Sequence, residues 1–239
     1  MPTKKIPSIP TTAAKTRIIR AETDLFHVLE THSSGDFIYR GEDNSKYKLR
    51  PKVGRYDLGT ESEGEELEDH VLKEFSRRSV PYVRRAPENN LEWMALAQHH
   101  GLATRLLDWT SNLFVATHFA VHNYLGDYDR VIYALDVVNF EMLDEEDDPF
   151  ASKRVALYEP AHISPRVSAQ MGIFTLHPYP MRPFVHPKLE RWIIKSDCVI
   201  KMAITLDRLG FNRSSLFPGL DGLATHLNGN YINDRPDAA

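Results

Sequence analysis

The fold is best read from one segment of this chain, LEWMALAQHHGLATRLLDWTSNLFVATHFA, which covers residues 91–120. Residues 91–100 predict a helix that is apolar over most of its surface, and Gly101 stands where many helices end in a left-handed residue. The sequence ATRLLDWT then predicts a short strand and turn, and residues 112–124 predict another helix. Two mostly buried helices around a strand indicate the centre of a folded core.

Polar side chains occur in this same segment, where the pattern otherwise indicates protein interior. They are Gln98, His99, His100, Thr104, Arg105 and Asp108. Buried polar groups cost free energy unless they are hydrogen-bonded, so the cluster is either a structural network or a functional site. Arg105 and Asp108 are close enough in sequence to predict an internal ion pair. The pair could act as a structural clamp or could bind a ligand, and the sequence does not decide between these two roles.

The composition of the chain limits which classes of protein it can belong to. The chain has 239 residues, 42% of them hydrophobic, and a formal net charge of -4, which provides no general attraction to nucleic acid or to anionic membranes. Cys198 is the only cysteine, so no disulfide can form within the chain, which fits a reducing compartment. No signal peptide or apolar run of 18 residues is present. We therefore expect a cytoplasmic protein without a membrane span.

The order of the predicted elements indicates an α+β fold. Residues 1–16 predict a flexible N-terminal arm, and residues 17–239 predict a single domain. Helices lead the chain and strands dominate later without regular βαβ alternation. This order favours a mixed or antiparallel central sheet flanked by helices. Residues 61–80 predict a long helix whose acidic run is a solvated face.

The remaining elements follow from local periodicity. A first helix is expected at residues 20–30. The strand FIYRG at residues 37–41 is expected to pair with YKLRP at residues 47–51 as a hairpin. Further strands are expected near residues 130–138, 154–157, 172–176 and 197–203, and further helices near residues 206–211 and 220–227.

Several side chains outside the first segment are candidate site residues. Arg40 ends a predicted strand beside Gly41, where a guanidinium suits a phosphate or carboxylate, although a surface salt bridge is the alternative. Gln170 could bind a ligand amide or cap a turn, and Asp221 lies outside the charge runs and could face a cleft.

Histidine spacing provides a separate hypothesis. His118 and His122 are four residues apart on one predicted helix, a spacing that can bind zinc, but no third ligand or HExxH general base is evident. We therefore expect no metal, and a metal-dependent hydrolase is only a third hypothesis. The chain also has no GxGxxG, Walker-type phosphate loop or GxSxG motif.

Four segments together resemble the FRG domain family, which is named for a Phe/Tyr-Arg-Gly element. They are Tyr39-Arg40-Gly41, the run QHHGLATRLLDWT at residues 98–110, QMGIFT at residues 170–175 and SSLFPGLDG at residues 214–222. The resemblance covers about residues 22–228. The layout of the family is similar to that of a diverged ADP-ribosyltransferase, which implies a split sheet and NAD as a substrate. The implied acceptor is a protein, a nucleic acid or water.

The resemblance also implies roles for individual residues. Arg40 would bind NAD, Thr104 would lie on a bracing strand, and Gln170 or Asp221 would replace the late catalytic glutamate of the superfamily. Further substrate-binding positions would be Gly41, Gln98, His99, His100, Arg105 and Asp108.

The resemblance implies a transferase or NAD glycohydrolase that acts as a toxin or effector in bacterial conflict or phage defence. The alternative is a non-catalytic module that binds a nucleotide or nucleic acid. Either reading predicts a nucleotide-like small molecule as ligand. The macromolecular acceptor and the oligomeric state are left open.

Overall fold

A seven-stranded mixed sheet forms the centre of the protein. The computed structural model describes residues 14–83, 85–123, 126–160 and 165–232. The strands are β1 (Lys15–Ile19), β2 (Phe37–Glu42), β3 (Leu106–Thr110), β4 (Arg130–Asp136), β5 (Ala156–Tyr158), β6 (Gly172–Leu176) and β7 (Leu189–Ile194). Their spatial order is β1-β7-β4-β2-β3-β6-β5, with β1 parallel to β7 and the other neighbours antiparallel.

Helices cover this sheet. Within the described residues they are α1 (Asp24–Thr31), α2 (Glu61–Ser79), α3 (Asn90–His99), α4 (Leu113–Val121), α5 (Pro165–Gln170), α6 (Val199–Arg208), α7 (Arg213–Leu216) and α8 (Leu220–Leu227). This architecture confirms the predicted α+β class with a mixed sheet and flanking helices. Residues 1–13 of the expected arm lie outside the described residues, whereas Lys15 and Thr16 belong to strand β1.

Two helical groups cover different parts of the sheet. Helices α1, α4 and α6 enclose an apolar cluster with β2, β4 and β7 that includes Tyr39, Ala116 and Trp192. Helices α2 and α3 enclose another with β3 and β6 that includes Met94 and Phe174. The two groups meet near β2 and β3, the centre of the sheet.

Local sequence signals account for most of the helices and several strands. Thr60 and Glu63 form a capping box at the start of α2, and Gly101 follows α3 with a φ of 90°. Asn112 caps α4 by accepting from the backbone N–H groups of Phe114 and Val115. Strands β4 and β6 lie where their alternating or β-branched sequences place them.

Three local predictions are wrong. Strand β2 pairs with β3 and β4, not with residues 47–51. Residues 199–208 form helix α6, not a strand, because Val199, Met202 and Leu206 recur at helical spacing and bury one face. Strand β7 was not predicted, and its residues complete the sheet between β1 and β4.

The acidic run of α2 is also not uniformly solvated. Glu68 is buried, with its side chain 3% exposed, and it pairs with Arg105. Other acids of this helix do pair at the surface, as Glu74 does with Arg77 and Arg78. The prediction of a solvated face therefore fails at the turn of α2 that meets β3.

Strands β2 and β3 share only one paired position, Tyr39 opposite Thr110. By contrast, β2 pairs with β4 along its whole length. Beyond the shared position, the Arg40 guanidinium donates to the carbonyl oxygen of Asp108 at 2.7 Å. A side chain therefore occupies the place where the ladder between β2 and β3 would otherwise continue.

Candidate functional site

A cavity of about 250 Å³ lies at this weakly paired junction of the sheet. Its lining comes from β2, α3, β3, α4, α5 and β6. The lining residues are Tyr39, Arg40, Gly41, Gln98, His99, Asp108, Trp109, Thr110, Ala116, Phe119, Arg166, Val167, Gln170, Gly172 and Phe174. The cavity therefore brings together six predicted site residues: Arg40, Gly41, Gln98, His99, Asp108 and Gln170.

The Tyr-Arg-Gly element forms one wall because of close packing against α4. A Cβ atom on Gly41 would lie 1.9 Å from the backbone oxygen of Ala116, so only glycine allows α4 to cross β2 this closely. Tyr39 is buried on the same face of the strand, and its hydroxyl lies 3.1 Å from Nδ1 of His32. Side chains alternate along a strand, so Arg40 lies on the opposite face.

The Arg40 guanidinium is held by neighbouring acids. Its Nε and Nη2 groups donate to Oε1 of Glu42 at 2.9 and 2.6 Å, and Nη1 lies 3.5 Å from Oδ2 of Asp108. Burial opposes the charged form, but Glu42 and Asp108 outweigh it and raise the pKa of Arg40. Most of its donors are therefore already used within the protein, which leaves little of the group for a phosphate.

Asp108 contributes the only carboxylate in the described lining of this cavity. Its side chain is 59% exposed, whereas that of Arg40 is 15% exposed. The predicted ion pair between Asp108 and Arg105 does not form, because Asp108 lies beside Arg40 and Arg105 pairs elsewhere. A carboxylate anchored on one side and open on the other can face a bound ligand.

His99 enters the cavity as a neutral side chain. Burial, followed by the nearby charges of Arg166 and His100, lowers the pKa of His99 to about 4. A neutral imidazole can donate one hydrogen bond and accept another at neutral pH. His100, which was predicted to bind substrate, is exposed at the end of α3 and does not line this cavity.

Two amide side chains of the cavity are partly used for support. Gln98 donates to the carbonyl oxygen of Leu106 at 3.2 Å and accepts from the hydroxyl of Thr104. Thr104 precedes β3 and also accepts from the backbone N–H of Leu106 at 3.2 Å, so it braces that strand from behind the cavity. Gln170 donates to the carbonyl oxygen of Leu216 at 3.0 Å and thereby connects α5 to α7.

A buried polar chain supports the floor of the cavity. Nε1 of Trp109 donates to Oγ1 of Thr175 at 2.8 Å, and that hydroxyl lies 2.8 Å from Nε2 of His177. Burial, assisted by Arg40, lowers the pKa of His177 to about 3. His177 is therefore neutral, and its Nε2 forms a hydrogen bond with the Thr175 hydroxyl.

Arg105 is a structural clamp outside the cavity. The guanidinium is 1% exposed, its Nε donates to Oε2 of Glu68 at 3.0 Å, and both Nη groups donate to Glu65 at 3.2 Å. The backbone N–H of Arg105 also donates to Glu68 at 2.6 Å. Burial raises the pKa of Glu68, and Arg105 opposes that rise. The clamp fastens α2 to β3, and Arg105, which was predicted to bind substrate, does not line the cavity.

Asp221 also lies away from the cavity, on the exposed first turn of α8. His118 and His122 lie on α4, and burial lowers the pKa of His118 to about 4. Within the residues that the structure describes, no group of three or more His, Cys, Asp or Glu side chains could hold a metal ion.

Sequence reasoning missed Arg166 and the aromatic lining of the cavity. Trp109, Phe119 and Phe174 carry apolar patterns that indicate core positions, and nothing local distinguishes them. Arg166 lies on the six-residue helix α5, immediately before the predicted QMGIFT segment. Its closeness to Gln170 was the one signal in the sequence that could have found it.

A second, basic cleft of about 280 Å³ shares Arg40, Gln98 and Asp108 with the cavity. Lys52 and Arg55 supply its further positive charges. Nζ of Lys52 donates to the carbonyl oxygen of Gly101 at 2.6 Å, and Arg55 lies 3.9 Å from Glu42. Asp108 therefore stands at the junction of an aromatic cavity and a positively charged cleft.

Comparison with protein families identifies one match. A family model described as the FRG domain matches residues 35–128, which include the Tyr-Arg-Gly element and the run from Gln98 to Thr110. The match confirms the family predicted from these motifs. No curated protein and no solved structure matches the chain significantly. Across the described residues, none of the helices has the length and apolar character needed to span a membrane.

Proposed function

Because the chain contains an FRG domain, whose layout resembles that of diverged ADP-ribosyltransferases, we propose that it uses NAD as a substrate. The reaction is ADP-ribosyl transfer to a macromolecule, or to water as an NAD glycohydrolase. The observation that carries this proposal is the position of Asp108, an anchored carboxylate at the junction of an aromatic cavity and a basic cleft.

The chemistry of NAD cleavage requires a fixed negative group. The bond between the ribose C1′ and the nicotinamide nitrogen breaks, and its electron pair leaves with nicotinamide, which becomes neutral. Positive charge develops on the ribose, and a carboxylate placed beside it stabilises the transition state. The acceptor then forms the new bond to C1′ and loses a proton. Asp108 has the charge and the exposure for this role, and Arg40 holds it in place.

The rest of the cavity suits the heteroaromatic end of such a ligand. Aromatic side chains form much of its lining, and flat rings bind well against them. His99 is neutral at neutral pH and can hydrogen-bond to an amide group without adding charge. In this proposal Arg40 orients Asp108. Other cations of the protein bind the phosphates of NAD, although the resemblance implies that role for Arg40.

The test is release of nicotinamide from NAD by the purified chain, with and without bacterial extract as a source of acceptor. The Asp108→Asn variant keeps the size of the side chain and removes its charge, so we expect nicotinamide release to fall by about 100-fold or more. Asp221→Asn is the matched control, because Asp221 is exposed on α8 and we expect its rate to equal that of the wild type.

One result would reject the enzymatic proposal, and another would reject the role of Asp108 in it. Wild-type protein that binds NAD without releasing nicotinamide would favour the alternative, a non-catalytic nucleotide-binding module. That alternative draws on Arg40, His99 and Arg105, and the two arginines already bond within the protein. Equal rates for the wild type and Asp108→Asn would remove Asp108 from the mechanism.

A role as a toxin or effector in bacterial or phage conflict belongs to the same proposal. Consumption of NAD, or modification of an essential acceptor, would stop growth of a bacterial host. We expect expression of the wild type to arrest growth and the Asp108→Asn variant to relieve the arrest at equal protein level. Arrest of equal strength by both proteins would contradict this role.

A further inference from the structure

Arg166, in the lining of the cavity, and Arg213, in the lining of a neighbouring cleft, stack on one aromatic ring. Cζ of Arg166, on α5, lies 4.4 Å from the ring centre of Phe217, and Cζ of Arg213, on α7, lies 3.9 Å from it. Among the described residues, no carboxylate lies within ion-pair distance of either guanidinium. The Nε atom of each is buried without a hydrogen-bond partner. Stacking covers one face of each group, and the Nη groups have no carboxylate partner among the described residues.

This arrangement is electrostatically unfavourable as it stands. Burial lowers the pKa of Arg166, the charge of Arg213 lowers it further, and Asp108 only partly opposes them. Two like charges near one ring and partly out of water are stabilised by an anion that contacts both of them. The buried Arg105 and the nearly buried Arg40, by contrast, both have carboxylate partners.

The segment SSLFPGLDG at residues 214–222 holds the Phe217 ring on which the two arginines stack. The carbonyl oxygen of Phe217 lies 1.9 Å from where a Cβ atom on Gly222 would be, so α8 packs closely against that residue. Ser215 and Asn212 form a capping box at α7, and Gln170 connects α7 back to α5. The ring and its two arginines are therefore pre-organised, which lowers the entropic cost of binding a ligand.

The pair is also continuous with the cavity. Arg166 is part of the cavity lining, and Phe119, another lining residue, makes an edge contact with Phe217 at a ring-centre distance of 6.0 Å. A ligand seated in the cavity could therefore place a charged group against Arg166 without leaving the protein surface.

We propose that Arg166 and Arg213 form an anion site that binds the diphosphate of the nucleotide in the cavity. The identity of that ligand rests on the proposed function, but the anion site rests on the two arginines themselves. Guanidinium groups bind phosphate oxygens in a bidentate manner, and two of them beside one ring can contact the two phosphates of a diphosphate. The basic cleft near Lys52 and Arg55 is the competing location.

Calorimetric titration of the full chain with inorganic pyrophosphate, ADP-ribose and nicotinamide tests this assignment. We expect pyrophosphate and ADP-ribose to bind, and each of the variants Arg166→Gln and Arg213→Gln to weaken both by about 10-fold. Nicotinamide has no phosphate, so its affinity should not change. Arg154→Gln is the matched control, since Arg154 is exposed and lines neither the cavity nor the cleft beside Arg213, and we expect wild-type affinity.

The outcomes separate this site from the proposed function. Pyrophosphate binding that depends on Arg166 and Arg213 in a protein that does not cleave NAD would keep the anion site and reject the enzyme. Unchanged affinities in both arginine variants, or a loss confined to Lys52→Gln, would overturn the anion site whether or not NAD is cleaved. A wild type that does not bind pyrophosphate or ADP-ribose would also overturn it.

Discussion

Two regions of this protein hold arginines that lie fully or partly out of water and differ in whether a carboxylate is paired with them. Between α2 and β3, Arg105 is paired with Glu65 and Glu68. At the margin of the cavity, Arg166 and Arg213 share the ring of Phe217 and have no carboxylate partner among the described residues. The residue type is the same, but the surroundings differ in charge.

This difference separates a structural role from a binding role. A buried cation whose donors are all used stabilises the fold only as long as its partners remain. A cation with free donors contributes little to stability but can gain much from an anionic ligand. The following predictions measure stability on both sides of this comparison.

The largest expected effect is at the clamp. Arg105→Met leaves Glu68 buried without its cation, and we expect the free energy of unfolding to fall by about 3–5 kcal/mol. Chemical denaturation measures this loss. Adding Glu68→Met should recover much of it, because an apolar pair of similar size needs no counter-charge. Arg77→Met removes an exposed ion pair of the same helix and should change stability little. A clamp variant as stable as the Arg77 variant would show that the comparison is wrong.

The wall of the cavity at Gly41 is held against α4 by close backbone packing. Gly41→Ala forces a methyl group against the backbone of Ala116, and we expect a loss of about 1–3 kcal/mol together with weaker ligand binding. Gly229→Ala is the control, since a Cβ atom there meets no atom within 4 Å. Thermal and chemical unfolding of both variants measure the difference. Equal stability would mean that α4 moves away from β2 at little cost.

Acid should destabilise the cavity floor through His177. Its folded pKa of about 3 lies below its ordinary value because of burial and the nearby Arg40. The unfolded chain therefore binds the proton first, and stability is lost as the pH falls from about 6.5 toward 3. His177→Gln removes this term, so unfolding free energies at pH 7 and pH 5 should differ less than in the wild type. His27→Gln, at an exposed position, should keep the wild-type difference.

The smallest expected effect is at the anion site itself. Arg166→Gln removes a cation that has no carboxylate partner among the described residues and lies near another positive charge. We expect the free energy of unfolding to stay within about 0.5 kcal/mol of the wild type, or to rise. The measurement is the same denaturation series as for Arg105→Met. A loss of several kcal/mol would place Arg166 in the structural class and contradict its assignment to binding.

Much of the fold could be predicted because its signals are local. Thr60 with Glu63, Gly101 and Asn112 mark helix ends through contacts within a few residues. The family and the α+β class follow from such segments. Strand β7 and helix α6 were missed because β-branched and apolar residues fit either state over short lengths, and the partner strands decided between them.

The candidate site could be predicted in part. Arg40, Gln98, His99, Asp108 and Gln170 do lie together around one cavity. Their sequence motifs identified them, but not their partners: Arg40 pairs with Glu42, and Asp108 does not pair with Arg105.

Local spacing determined where most helices begin and end and where the chain matches the FRG domain. Only the tertiary structure decided which arginine is a clamp and which is free to bind. Charge pairing acts through space over a few ångströms, and the partner of Arg105 lies 37 residues away in sequence. No spacing rule along the chain can report such a contact, because the folding of α2 against β3 creates it.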